Sequence, residues 1–305
     1  MDRLAVMETF VRVVETGSFS AAARLLNVGQ PAVSKSIAQL EQRLGVRLLI
    51  RSTRGLKPTE AGLNFHVRAR RVIEEADSAD LAARGSGAGM AGRLCASAPV
   101  TFSRLHIVPQ LHRFLAHHPG ITVDLMMSDC PIDLVREGVD VALRMGTLRD
   151  SALMARKIAS ARRVVVGAPS FFERAGIPKT PEALARCQAV IYTMGSGGDS
   201  WRFRRGNMEA PVTLSGRLRI SAAEGVRAAV ISGAGFTIAS QWMFARELAS
   251  GAVRAVLEDW ELPEMDLWGV YPAGRLASAK ARAFVDFVAA ALDGSHSPAA
   301  YSPAE

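Results

Sequence analysis

Residues 18–45, SFSAAARLLNVGQPAVSKSIAQLEQRLG, constrain the fold of this chain most strongly, because they have the pattern of two short helices joined by a tight turn. Ser18 is a good N-cap for the first of these helices, since its hydroxyl can accept a backbone N–H. Residues 27–29 predict the turn, and Pro31 falls in the first turn of the next helix, where its missing N–H costs nothing. With a preceding helix over about 2–16, the pattern predicts a helix-turn-helix.

The second helix of this motif is predicted to have two different faces. Val33, Ile37, Leu40 and Leu44 recur at steps of four, three and four, which predicts a buried face. The opposite face carries short polar side chains and cations, as a helix in the DNA major groove requires. The alternative is a small helical bundle with a solvated polar face. The candidate DNA-binding residues are Ser18, Gln30, Pro31, Ala32, Ser34, Lys35, Arg51, Thr53 and Arg54.

A basic hairpin is predicted next. Two short extended runs, 48–50 and 56–57, flank the sequence RSTRG, which indicates a β-hairpin, or wing, with two arginines at its tip. Between Arg24 and Arg71 there are ten lysines and arginines against two acids, in a chain whose formal net charge is +8. This concentration of positive charge is typical of a surface that binds phosphates.

A long helix follows, predicted over 59–84 with Thr59 as its N-cap. Its apolar side chains recur at alternating steps of four and three, which is the spacing of a coiled-coil seam. A second copy of the chain is the simplest partner for this face, and the alternative is a helix buried within one globule. The seam consists of Phe65, Ala69, Val72, Ala76, Ala79 and Ala83.

Composition favours a multi-domain globular protein. The 305 residues, 49% of them hydrophobic, can bury a sizeable core. No apolar run is long enough for a transmembrane helix, and the first residues lack a signal-peptide core. The three cysteines, Cys95, Cys130 and Cys187, are far apart, which favours a cytoplasmic location over a disulfide framework or a zinc site. Cys95 is expected in a buried strand, and Cys130 is either an inert thiol or a redox sensor.

From Gly92 onwards predicted strands and helices alternate, which indicates parallel strands joined by crossover helices. The predicted helices include 101–116 and 132–137. Two α/β lobes of similar size resemble the periplasmic-binding-protein architecture. The predicted fold is multi-domain: a mostly α winged helix-turn-helix (1–58), a linker helix (59–86), a two-lobed α/β domain (87–292; lobe I about 91–163 plus 267–292, lobe II about 164–266) and a disordered tail (293–305).

Polar residues at the predicted strand ends are candidates for ligand binding, because open α/β sheets bind ligands beyond the carboxyl ends of their strands. Helix N-termini at these ends favour an anionic small molecule. For any single hydroxyl, helix capping is an equally good interpretation. Asp129 lies among these strand-end residues, and the effector-binding candidates are Val100, Thr101, Phe102, Ser103, Ser128, Gly146, Thr147, Trp201, Ser221, Glu224 and Ser240.

The run from Phe10 to Gly62 resembles the N-terminal domain of the LysR-type transcriptional regulators. Segments 92–111, 132–146, 216–240 and 280–288 resemble the effector-binding domain of the same family. The resemblance implies a sequence-specific regulator of transcription whose DNA binding responds to a small-molecule effector between the lobes. It also implies that 59–84 forms a homodimer, that dimers form tetramers, that the operator in double-stranded DNA is an inverted repeat, and that access of RNA polymerase changes.

Three positions depart from what members of this family commonly carry. Gly29 stands where Ser or Thr often caps the recognition helix, at a cost of about a few tenths of a kcal/mol. Residues 221–223 replace an Asn-Asp-Gly-like turn, and residues 240–241 replace Pro-Asp. Because both replacements fall at the predicted cleft, the resemblance carries no effector identity.

An enzyme built on the same lobes is one alternative. The six histidines form no H-E-x-x-H pattern, and the chain has neither a G-x-S-x-G elbow nor a P-loop. A sequence-neutral architectural DNA binder is the other alternative, but it would not need two lobes around a ligand cleft. We therefore expect no catalytic residues, no metal site and no cofactor.

Overall fold

The computed structural model describes residues 2–52, 55–83, 90–148, 154–194, 198–272 and 277–295. They pack into two compact units, of which the first contains the residues up to Arg93 together with His118–Thr122 and Asp133–Val139. The second unit contains the remaining described residues. The predicted wing tip at Thr53 and Arg54 and the glycine-rich segment 85–89 lie outside the described residues.

The N-terminal unit begins with the predicted helix-turn-helix and wing. Ser18 caps the second helix, its hydroxyl accepting the Ala21 N–H at 3.4 Å, which confirms the prediction. Gly17 and Gly45 adopt the left-handed conformation that ends the helices before them. The elements are α1 (Arg3–Thr16), α2 (Phe19–Leu25), α3 (Gln30–Leu44), β1 (Leu49–Ser52), β2 (Gly55–Pro58) and α4 (Glu60–Ala83).

The core of this unit forms around Phe10, which is fully buried. Val33, Ile37 and Leu40 of α3 are buried with it, as their spacing predicts. The prediction that Leu44 is buried is wrong: its side chain is 38% exposed, because it occupies the last helical position, outside this cluster.

The wing is an antiparallel hairpin in which Ile50 pairs with Lys57. One oxygen of the Glu41 carboxylate accepts the N–H groups of Leu48 (2.8 Å) and Leu49 (3.1 Å). The carboxylate of α3 thereby fixes the start of the wing. Arg47 also contacts Glu41, at 3.3 Å, but its side chain is largely exposed.

The long helix is attached directly to the wing. Thr59 caps it, accepting the Gly62 N–H at 2.9 Å, and donates to the carbonyl of Arg47 at 2.8 Å. A Cβ at Gly62 would lie 2.0 Å from the Leu48 carbonyl oxygen, so only glycine permits this approach. The helix α4 therefore begins in close contact with the base of the hairpin.

The predicted seam of α4 is divided between two environments. Phe65 packs its ring against Phe10 at 5.3 Å between centroids, and Ala69 is buried. Farther along, Val72 is 45% exposed and Ala79 is exposed. The first part of the seam thus belongs to the core of its own chain, and the second part is available to a partner.

Lobe I is built on a five-stranded mixed sheet with the order β4-β3-β5-β14-β6. Strand β3 runs parallel to β5, whereas β14 is antiparallel to both β5 and β6. The predicted parallel pairing thus holds for β3 with β5, whereas β14 is antiparallel, because the chain returns from lobe II to place it between β5 and β6. The elements are β3 (Ala91–Ala98), α5 (Val100–Phe102), α6 (Leu111–His117), β4 (Gly120–Met127), β5 (Val141–Met145) and β6 (Met154–Ala161), with β14 and α10 added from the end of the chain.

Two predicted helices of lobe I differ from the structure. The predicted helix 101–116 is broken into α5, a π-helical segment, a 3-10 segment and α6, because Pro109 has no N–H to continue an α-helical ladder. The predicted helix 132–137 is a single turn. Asp133 caps this turn, and Gly138 ends it in the left-handed conformation.

Lobe II contains a three-stranded antiparallel sheet with β7 between β12 and β13. A parallel pair, β8 and β11, and an antiparallel hairpin, β9 and β10, complete its strands. The closing helix α10 ends at Ser295, so its last three residues lie within the segment 293–305 that is predicted to be a disordered tail. The elements are β7 (Arg163–Gly167), α7 (Pro169–Ala175), β8 (Val190–Tyr192), β9 (Ser200–Arg205), β10 (Met208–Thr213), β11 (Leu218–Ile220), α8 (Ala223–Ile231), β12 (Phe236–Ser240), α9 (Gln241–Ser250), β13 (Arg254–Val256), β14 (Met265–Tyr271) and α10 (Ala279–Ser295).

None of the described helices is both long and apolar enough to cross a bilayer.

Glu41→Ala is expected to lower the free energy of unfolding of the N-terminal unit by about 1–3 kcal/mol, because it leaves two backbone N–H groups without their acceptor. Arg47→Ala, which removes only the exposed ion pair, should cost less than about 1 kcal/mol. Chemical denaturation of the two variants checks this difference. Equal losses would assign the effect to the ion pair.

Candidate functional site

The recognition helix α3 presents its N-terminal residues to solvent. Gln30, Pro31, Ala32 and Lys35 are exposed, and Ser34 is half-buried. Val33 and Ile37 face the core from the same helix. The outer face therefore has the short polar side chains and the amide that base-edge contacts require.

The turn before α3 sets the direction of this face. Asn27 adopts a left-handed conformation, with φ of 51°, which ends α2 abruptly. Gly29 caps α3 without a side-chain hydrogen bond, as its lack of a hydroxyl dictates. The Ser20 hydroxyl donates to the Gln30 amide oxygen at 3.3 Å, so α2 helps to hold the Gln30 side chain in place.

Positive charge surrounds this helix. Arg24, Lys35 and Arg43 are exposed, and none of them forms an ion pair within the described residues. Of the predicted wing contacts, Arg51 is described only in its backbone, within β1, while Thr53 and Arg54 lie outside the described residues. The cations that are described are thus available for phosphate oxygens.

A second site lies where lobe I and lobe II meet within the C-terminal unit. The Thr101 hydroxyl donates to one oxygen of the Glu224 carboxylate at 3.1 Å, and Arg104 donates to the other at 2.7 Å. These are residues of the first helical segment of lobe I and of α8 in lobe II. The structure therefore brings together two of the predicted effector-binding residues, Thr101 and Glu224.

The Asp129 carboxylate joins the same two segments. Its oxygens accept the N–H of Val100 at 3.0 Å and the N–H of Ala223 at 3.2 Å. The neighbouring Tyr192 is half-buried, and its pKa is raised to about 12 by burial and by the negative charge of Asp129. The polar groups of this cleft are thus largely bonded to one another.

The other predicted effector residues have varied surroundings. Phe102 and Ser103 are buried, Ser128 is half-buried, and Thr147 and Ser221 are exposed. Ser240 caps α9, accepting the Trp242 N–H at 3.2 Å, which is the capping role that the sequence left open. The remaining two make contacts elsewhere: Gly146 bonds to Asp266 and Trp268, and Trp201 packs near Arg163 and the lobe II core.

Sequence reasoning missed the two arginines at this cleft. Arg104 lies three residues after Thr101, and Arg227 lies three residues after Glu224, which it approaches at 3.8 Å. Arg227 also pairs closely with Glu247 of α9. The i,i+3 spacing would have placed each arginine on the same helix face as a predicted site residue.

Within the described residues, no three or more His, Cys, Asp or Glu side chains form a group that could hold a metal ion.

Comparison with known proteins identifies the family. Residues 4–63 match the bacterial regulatory helix-turn-helix protein, lysR family, and residues 87–293 match the LysR substrate binding domain. This chain belongs to the LysR family of transcriptional regulators. It is thus a DNA-binding regulator with an effector-binding domain, and the proteins of this family are regulators rather than enzymes.

Individual relatives agree with this assignment. An HTH-type transcriptional regulator of Xanthomonas campestris pv. campestris is 35% identical over 93% of this chain and 84% of its own length. PtxR of Pseudomonas aeruginosa, an HTH-type transcriptional regulator, is 34% identical over 91% of this chain and 89% of its own. The solved structure of CrgA, a LysR-type transcriptional regulator from Neisseria meningitidis, is similar to this chain with a TM-score of 0.59. The sequences are 28% identical, and the match covers 96% of this chain and 99% of the CrgA chain.

Asp129→Asn is expected to lower the pKa of Tyr192, because it removes a negative charge that disfavours tyrosinate, while burial still raises that pKa. The stability that Tyr192 contributes is present below its ordinary pKa of 10.0 and is lost as the pH rises toward about 12. Ultraviolet titration of tyrosinate, in a background that carries both Tyr271→Phe and Tyr301→Phe so that Tyr192 is the remaining tyrosine, measures the change. Asp133→Asn is the control, and an unchanged Tyr192 titration in Asp129→Asn would contradict the assignment.

Proposed function

We propose that this chain is a sequence-specific regulator in which two recognition helices contact an operator and a small molecule in the lobe cleft modulates the contact. In this assignment residues 1–58 bind DNA, 59–86 link and dimerise, and 87–292 bind the effector. The exposed polar N-terminal face of α3, supported by a buried core on its other side, is the observation that carries the proposal.

In this proposal α3 enters the major groove. Gln30, Pro31, Ala32 and Ser34 meet base edges or the nearby backbone, and Lys35 contacts phosphate. The helix cap residue Ser18 lies at the start of α2, where such motifs cross the backbone. The wing residues Arg51, Thr53 and Arg54 are assigned to phosphate or the minor groove on the sequence alone.

Pairing of two copies through residues 59–84 places the recognition helices on one side of the DNA. The second part of the seam supports such pairing, because Val72 and Ala79 leave apolar surface exposed within the described residues. Two half-sites would lie roughly 34 Å apart, one turn of the duplex, in an inverted repeat. Further assembly into tetramers would let the effector alter DNA bending and the access of RNA polymerase.

The effector is assigned to the cleft around Thr101 and Glu224, with the other predicted strand-end residues as candidates for its lining. The hydrogen bond between these two side chains links lobe I to lobe II. A ligand that competes for either side chain therefore changes the relative arrangement of the two lobes. It can shift that equilibrium only by its differential affinity for the two arrangements.

Gln30→Ala is expected to reduce discrimination between operator and random DNA by about 1–3 kcal/mol, because it removes an amide that reads a base edge. Gln42→Ala, the same change near the end of α3, is the matched control. Binding titrations against operator and random duplexes at one salt concentration measure the difference. If Gln30→Ala weakens binding to both DNAs equally, Gln30 has no part in base readout.

Thr101→Val is expected to reduce the response of operator binding to the effector while operator affinity without effector stays unchanged. The substitution keeps the shape of the side chain but removes the hydroxyl that bonds to Glu224. Thr213→Val, at an exposed position of β10, is the control. A full response in Thr101→Val, measured by DNA-binding titration with and without effector, would remove Thr101 from the effector site.

A further inference from the structure

Lobe II carries a cavity of about 620 Å³ that the effector cleft does not use. It is lined by residues of β7, α9 and β13 and by the segment 257–262 that follows β13. We call it the β13 groove. Its volume lies within the range of roughly 300–1,000 Å³ that is typical of small-molecule sites.

The charged lining of the β13 groove is mainly positive. Arg162, Arg163 and Arg254 line it, against a single acid, Glu258. Arg162 and Arg254 are exposed and form no ion pair within the described residues. Arg163 is half-buried, donates to the Pro263 carbonyl at 2.7 Å, and has its pKa lowered by burial.

The remaining lining supplies an apolar surface and one buried donor. Val165 and Val256 are buried core residues, and Leu262 packs beside them. Trp260 is only 9% exposed, and its indole N–H is buried without a hydrogen-bond partner within the described residues. Together with these side chains, Trp260 gives the groove an apolar wall.

Backbone strain occurs at the same place. Leu257 lines the groove with φ of 57°, in the left-handed region that a branched aliphatic residue rarely adopts. Such conformations concentrate at ligand sites, where the surrounding structure holds them.

The effector cleft and the β13 groove differ in what they offer to an anion. In the cleft, the N–H groups of Val100 and Ala223 are already bonded to Asp129, and Arg104 is bonded to Glu224. In the groove, the guanidinium groups of Arg162 and Arg254 have no ion-pair partner among the residues that the structure describes. Guanidinium groups bind carboxylates through paired, charge-assisted hydrogen bonds.

We propose that the β13 groove is a second ligand site, which takes a small amphipathic carboxylate. The carboxylate pairs with Arg162 and Arg254, and the apolar body lies against Leu257 and Trp260.

The position of the groove gives such a ligand a route to regulation. Arg162 and Arg163 directly follow β6, where the chain passes from lobe I into lobe II, and Leu262 precedes β14, where it returns. A ligand in the groove therefore contacts both crossing segments. Such a ligand shifts the equilibrium between two arrangements of the lobes if it binds one arrangement more tightly than the other.

Benzoate, with neutral benzamide as its matched analogue, tests the proposal by calorimetric titration of the full chain. Benzoate should bind the unmodified protein at least tenfold more tightly than benzamide does. Arg254→Glu and Arg162→Glu should each weaken benzoate binding at least tenfold.

Arg186→Glu is the control, because Arg186 is an exposed lobe II arginine outside the groove. No binding of benzoate to the unmodified protein, or equal losses in Arg186→Glu and Arg254→Glu, would overturn the proposal. Loss of benzoate binding in Thr101→Val with full binding in Arg254→Glu would place the anion in the effector cleft, which also overturns it. Binding that depends on Arg254 but not on Thr101 supports the groove whatever the cleft itself binds.

Discussion

The carboxylate of Asp129 is the contact on which the geometry of the effector domain depends. It accepts one N–H at the start of the first helical segment of lobe I and another at the start of α8 in lobe II. A helix start leaves N–H groups without partners, so burying two of them side by side requires an acceptor that reaches both. Asp129 supplies it from the loop after β4, and Glu224 adds a second link through Thr101 and Arg104.

This arrangement bears on the rule that open α/β sheets bind ligands beyond the carboxyl ends of their strands. The rule points correctly to the edge where the strands end and the helices begin, but it assumes that the helix N-termini there are open to a ligand. Here a side chain of the protein occupies them. A ligand at this edge must then displace internal bonds or bind beside them, and either process is sensed by both lobes.

The local parts of the fold could be predicted from sequence, and the parts that depend on distant contacts could not. Ser18 and Thr59 cap helices as expected, because capping depends on residues three positions away. Leu44 follows the same helical spacing as Leu40, yet only contact with α1 and α2 decides which of the two is buried.

At the candidate site, too, the residues could be predicted from local sequence, but the contacts between distant residues could not. Thr101 and Glu224 were found from the strand ends, but their direct bond joins residues that are far apart in the sequence. The antiparallel position of β14 likewise depends on the chain returning from lobe II. No pattern within either stretch of sequence contains that information.

The close approach at Gly62 has a mechanical consequence for the N-terminal unit. With the Thr59 hydroxyl on the Arg47 carbonyl and no room for a Cβ against Leu48, the helix α4 and the base of the wing move as a single piece. The Glu41 carboxylate of α3 also binds the backbone N–H groups at the start of the wing, which holds the wing against the recognition helix. A rotation of the start of α4 would therefore rotate the base of the wing and the recognition helix with it, as one rigid body.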